Sequence, residues 1–197
     1  MADQPDPTGA VDVGPTAAIT AGPLSGPVGF VPALRVHEDG QVIEFTFQAI
    51  LDYHGRLAPA GVAHAFKVME LGFPLLDPDT PVERREIAIE TAFAGPGARD
   101  AFEMVTRAVT GDRYRVNPVL AQPDRGLMVG DFVFHLRYRD RLVRLRLRPG
   151  HLSEEFVALA RTTDPTPSQA ERLAALKLEM ADRLMVLDPT EVYEQVG

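Results

Sequence analysis

Apolar and polar side chains alternate with a period of two between residues 132 and 149. Phe132, Phe134, Leu136 and Tyr138 alternate with Val133, His135, Arg137 and Arg139, and Val143, Leu145 and Leu147 with Arg144, Arg146 and Arg148. The pattern predicts an antiparallel hairpin that turns at Asp140-Arg141, with one apolar face and one arginine face. Glu86 to Glu90 alternates in the same way and predicts a strand with Ile87 and Ile89 inward. Short strands are also expected at Arg35 to His37, before the turn residues Glu38-Asp39-Gly40, and at Leu127 to Val129. Val42 to Leu51 fits a strand or a helix, and the spacing of Phe47, Ile50 and Leu51 favours helix in its second half.

Helical spacing marks the remaining elements. Pro59 suits the first turn of a helix, where its missing N–H costs nothing. That helix is expected to reach about Leu71, bury Val62, Phe66 and Met69, and stop at Gly72. A second runs from Arg99 to Thr110 with Ala101, Phe102, Val105, Ala108 and Val109 inward, ended by Gly111. Ser153 is placed to cap Glu154 to Arg161. Thr166-Pro167-Ser168-Gln169 has the form of a capping box, and the helix behind it buries Leu173, Leu176, Met180 and Leu184 and ends near Leu187. Val192 and Tyr193 are expected to fold back after Pro189. Asp77 to Pro81 and Ala94 to Gly97 are expected loops. The sum is an α+β fold, an antiparallel or mixed sheet with packed helices and a helical C-terminus. Residues 1–33, rich in Pro, Gly, Ala and Thr, are expected to form an extended arm, mobile or laid across a neighbouring protomer; residues 34–197 form a single domain.

Composition narrows the function. Of 197 residues, 45% are hydrophobic and 24% charged, as in a globular domain with a real core. No run of about 18 apolar residues suggests a membrane span, and the N-terminal stretch does not resemble a secretory signal. A cytoplasmic location is the expectation. A net charge of −8 argues against nucleic-acid binding. The absence of cysteine removes disulfides, thiolate catalysis and cysteine-ligated metals. The histidines are His37, His54, His64, His135 and His151. None forms a recognised metal spacing, so tight zinc is not expected. If any metal were retained, His54 would be its ligand.

His54 stands out because it precedes a proline-started helix in Tyr53-His54-Gly55-Arg56-Leu57-Ala58-Pro59-Ala60-Gly61. This frame resembles the FmdE-like family, named for a component of formylmethanofuran dehydrogenase, which carries His-Gly-His-x-Cys-Pro-Gly before a helix. His54, Gly55 and Pro59 match; Arg56 stands where the family has its second histidine, and Ala58 where it has cysteine. Ile89-Glu90-Thr91, Asp100-Ala101, Val105-Thr106 and the hairpin ending at Leu147-Arg148-Pro149 match later parts of the family pattern. The resemblance spans roughly Phe47 to Val196, and a zinc ribbon of the kind that many relatives append is not expected within these residues. It implies an α+β homodimer with a site where the His54 turn meets the Glu90 strand end. The family's name links it to molybdenum or tungsten enzymes of one-carbon metabolism.

The site expected from these residues holds a small anionic ligand or cofactor. His54 and Glu90 would handle protons, Arg56 would hold the anion, Asp100 would orient partners, and His135 and Arg137 would contribute from the hairpin. Replacement of thiolate and imidazole by Ala58 and Arg56 exchanges metal affinity for anion affinity. Three alternatives stand beside it. His54 could be a hydrogen-bonded structural residue in a non-catalytic homodimeric scaffold. The hairpin arginines could simply pair with acids such as Glu83, Glu86 and Glu90. A heme could set its propionates on the arginine face, with His54 or His135 as axial ligand. Whether the chain is an enzyme stays open.

Overall fold

Asp39 and Gly40 both adopt left-handed backbone, with φ of 51° and 78°, as a two-residue hairpin turn requires. They join β1 (Ala33–Glu38) to β2 (Gln41–Thr46), which pair antiparallel. The structure, a computed structural model, describes residues 32–197, so the expected N-terminal arm lies almost wholly outside the described residues. Thr46 ends β2 and starts α1 (Phe47–His54) by accepting the Ala49 N–H at 3.2 Å. The ambiguous Val42–Leu51 stretch is therefore strand and then helix, divided at this cap. Gly55, with φ 83°, closes α1 by donating its N–H to Leu51 at 2.8 Å.

The next helix, α2 (Pro59–Leu76), does not stop at Gly72. A Cβ at Gly72 would lie 2.2 Å from Leu136 Cδ1. This glycine lets the helix lie close on the sheet rather than ending it. Pro74, in the last turn, has no N–H to give the Glu70 carbonyl, yet the helix continues past it to Leu76. The helix is buried on almost every side, including His64 and Lys67. Lys67 is neutralised by Glu70 and donates to the Leu187 carbonyl, both at 2.7 Å.

After β3 (Ile87–Thr91) comes α3 (Pro96–Thr106), which begins and ends earlier than expected. Pro96 starts it, and Arg107 ends it in left-handed backbone, φ 53°. Side chains then hold residues 107–113 in turns. Arg84 donates to the Val105 carbonyl at 2.8 Å, Arg113 to Thr106 at 3.1 Å and Arg107 at 3.0 Å. Glu103 accepts the N–H groups of Val109 and Thr110 at 2.8 and 2.9 Å. The arginines satisfy helix-end carbonyls that a further turn would have used, and Glu103 takes the N–H groups that would have bonded to them.

β4 (Tyr114–Val116) escaped prediction because three residues carry no readable period. The expected strand at Leu127–Val129 is instead part of a chain of 3-10 turns. Met128 has φ 63°, and Gly130 packs so closely that a Cβ would lie 2.1 Å from the Gln122 carbonyl oxygen. β5 (Val133–Tyr138) and β6 (Arg141–Leu147) form the expected hairpin, but it turns at Arg139-Asp140 rather than Asp140-Arg141, with Arg141 already paired to Tyr138. Ser153 caps α4 (Glu154–Ala160), and the Thr166 capping box starts α5 (Pro167–Val186). α6 (Pro189–Val192) leads into β7 (Tyr193–Val196), which folds back onto β6.

The five-stranded sheet runs β4-β3-β5-β6-β7, with β3 and β4 parallel and the other pairs antiparallel. With β1-β2 and the helices it makes an α+β fold. Ile87, Ile89, Phe134, Leu136, Val143, Leu145 and Leu147 face the helices and are buried. Phe134 links α3 to the C-terminal strand, with ring centroids 5.9 Å from Phe102 and 5.8 Å from Tyr193.

His64 makes this core acid-sensitive. Its imidazole is 1% exposed and its Nδ1 lies 2.9 Å from the Tyr193 hydroxyl. Burial, then the positive charge of nearby His151 and Arg183, lowers its pKa to about 3. The folded state holds the ring neutral, whereas the unfolded chain protonates it near pH 6.5. Its contribution is complete above that pH and is lost as pH falls toward about 3. Urea unfolding should show the wild type losing about 2 kcal/mol more than His64→Gln between pH 7 and pH 4.5. Equal losses would contradict this assignment.

Candidate functional site

His54, the last residue of α1, turns its imidazole inward to 5% exposure. Its Nδ1 lies 2.8 Å from Asp100 Oδ2 on α3, and the other Asp100 oxygen lies 3.4 Å from Arg99 Nη1. An aspartate that accepts Nδ1–H fixes both ring orientation and tautomer. The opposite nitrogen, Nε2, is buried and has no hydrogen-bond partner among the described residues. Buried polar atoms without partners are costly, so each needs an explanation.

Two helix starts lie near this pair along the chain: α2 begins at Pro59, after His54, and α3 at Pro96, before Asp100. Ala58 precedes α2 and Gly95 precedes α3, and neither supplies a side-chain cap. The first turns meet backbone to backbone: a Cβ on Gly97 would lie 2.5 Å from the Ala58 carbonyl oxygen, and one on Gly61 would lie 3.2 Å from the Ala98 nitrogen. First-turn N–H groups have no partner within their own helix and carry partial positive charge. Ala60, Gly61, Gly97 and Ala98 are all buried here. The two helix starts thus keep uncapped N–H groups, and the oriented imidazole keeps one nitrogen unpaired among the described residues. These groups offer hydrogen bonds to a small acceptor, and to a donor too when Nε2 is unprotonated.

Other residues named from sequence lie elsewhere. The expectation that the His54 turn meets Glu90 is corrected by strand alternation. Ile89 and Thr91 point toward the helices, so Glu90 points to the opposite face. There it is opposite His135 and Arg115 in the two neighbouring strands, and Asn117 Nδ2 donates to its Oε1 at 2.7 Å. A cavity of about 300 Å³ on this face is lined by Glu90, Asp112, Arg113, Arg115, His135 and Arg137, among others. The sheet thus separates Glu90, His135 and Arg137 from His54 and Asp100. Four cavities among the described residues are lined by side chains other than His54, Arg56 and Asp100. Arg56 is exposed, without an ion pair or side-chain hydrogen bond among the described residues.

The expected pairing of hairpin arginines with acids such as Glu83, Glu86 and Glu90 holds for three of them: Arg139 meets Glu86 at 2.7 Å, and Arg146 and Arg148 meet another acid, Glu194 of β7, at 2.8 and 3.3 Å. Burial, with the charges of Arg144 and Arg137 adding to it and Glu90 opposing, lowers the His135 pKa below the ordinary imidazole value. Arg113, Arg115 and Asn117 were not singled out from sequence. They belong to the short β4 region, whose only advance signal was the density of arginine itself.

The cysteine-based metal centre that the resemblance implies does not fit these residues. Ala58 contributes a methyl group, and no three His, Asp or Glu side chains among the described residues converge on a metal-sized space. The chain matches no protein-family model, and no curated protein shows significant similarity to it.

The tight meeting of α2 and α3 can be tested directly. Gly97→Ala places its methyl against backbone, which cannot rotate aside, and should cost about 1–3 kcal/mol in chemical denaturation. Unchanged stability would show that the helix starts are not so closely joined.

Proposed function

We propose that this chain is a divergent FmdE-like protein that binds a small anionic ligand beside His54. One observation carries the reading: an imidazole held from behind by Asp100 keeps a buried Nε2 with no partner among the described residues. A ligand oxygen there would take N–H groups from the helix starts. It would share a proton with Nε2, either accepting from the imidazolium or donating to the neutral ring. Asp100 would keep the ring in place through either state. Arg56, in solvent two residues on, enters only as an approach charge. No metal step belongs to this reading, and no turnover is assigned to it. The resemblance supplies the location, and the dyad supplies the chemistry.

An inorganic phosphate titration followed through backbone amide resonances tests it. The amides of Ala60, Gly61, Gly97 and Ala98 should shift with a common saturation curve, and His54→Gln should abolish their response. Silence of these four amides in the wild type would overturn the reading, as would an undiminished response in His54→Gln.

A further inference from the structure

We propose a second ligand site, on the opposite side of the sheet, for a small multiply charged anion that also carries a hydroxyl or amino group. The outward positions form a row across four strands. Arg115 on β4 is beside Glu90 on β3, Glu90 beside His135 on β5, and His135 beside Arg144 on β6. Arg137 lies two residues along β5, on the same face. Neighbouring strands are about 4.8 Å apart, so the row spans roughly 14 Å, within reach of one small ligand held by long side chains.

The state of the arginines distinguishes this face from an ordinary charged surface. The protein carries a net charge of −8, so acids outnumber bases. Arg85, Arg107, Arg139, Arg146 and Arg172 all hold carboxylates within 4.0 Å. Arg115, Arg137 and Arg144 have neither an ion pair nor a side-chain hydrogen bond among the described residues. Three unpaired guanidiniums on one face repel one another, and a shared anion would remove that repulsion. Arg113 lines the same cavity but is engaged by the carbonyls of Ile87, Thr106 and Arg107, which makes it a wall.

Glu90 supplies selectivity. It stands between Arg115 and His135 yet is bound to neither at ion-pair distance; Asn117 holds its Oε1, leaving Oε2 as an acceptor. A bare anion gains from the arginines and is repelled by this carboxylate. A ligand that offers Glu90 a hydroxyl or amine turns the repulsion into a hydrogen bond. The cavity, at about 300 Å³, suits a small molecule and not a porphyrin or a protein segment.

Citrate and tricarballylate, which differ by a single hydroxyl, are suitable probes for the full-length protein in titration calorimetry. Both should bind, with citrate several-fold tighter. Arg137→Gln/Arg144→Gln should weaken both roughly tenfold or more, which is at least about 1.4 kcal/mol. Glu90→Gln should erase the preference for citrate while retaining binding, and His54→Gln should change neither affinity. Failure of both probes to bind, or binding indifferent to the arginine pair, would overturn the site. A citrate preference that survives Glu90→Gln would overturn the assigned selectivity. Sedimentation showing self-association that the double arginine variant abolishes would make the face an interface between copies and would also overturn the proposal.

Discussion

Two glycines bring the first turns of α2 and α3 into backbone contact, and much of the molecule depends on that contact. With side chains at Gly61 and Gly97 the helices would be forced apart. Because they touch, α3 is seated where Asp100 reaches the end of α1 and takes the His54 imidazole. The same placement sets Phe102 against Phe134 of the sheet. Further along α2, Gly72 repeats the principle against Leu136, so the central helix meets α3 at one end and the sheet at the other. Close approach comes at the expense of side-chain caps: both helix starts are left with unpaired N–H groups.

The sheet divides the chemistry. Period-two alternation sends apolar side chains toward the helices and Glu90, Arg115, His135, Arg137 and Arg144 to the other face. The inner region offers an oriented imidazole in a confined, low-dielectric setting. The outer region offers unpaired guanidiniums around a carboxylate held by Asn117. The first favours one small group in one geometry; the second favours charge and tolerates variation in shape. A single site combining residues from both sides, which proximity in sequence invites, would need side chains to pass through a packed sheet.

Long periodic segments were legible from the residues. The β5–β6 hairpin, the capping box of α5 and the inward face of β3 required only alternation and cap chemistry. Elements whose ends depend on tertiary contacts were not. Gly72 looked like a terminator because its reason for being glycine, the Leu136 side chain, is distant in sequence. α3 ended early because Arg84 and Arg113 occupy its last carbonyls, and neither is a local signal. The partnership of His54 with Asp100 was within reach, since both residues stand out in the sequence, and so was the exclusion of Glu90 from it. That exclusion follows from strand parity: the alternation that turns Ile89 and Thr91 toward the helices turns Glu90 away from them.

The most direct test of this two-sided account is the side-chain nitrogen spectrum of the histidines during addition of inorganic phosphate, with ¹⁵N-labelled imidazoles. Resonances of His54 and His135 should both move, with different midpoints, while those of His64, sealed in the core, stay fixed. If His54 and His135 remain stationary at saturating phosphate, or move together with His64, the account is contradicted.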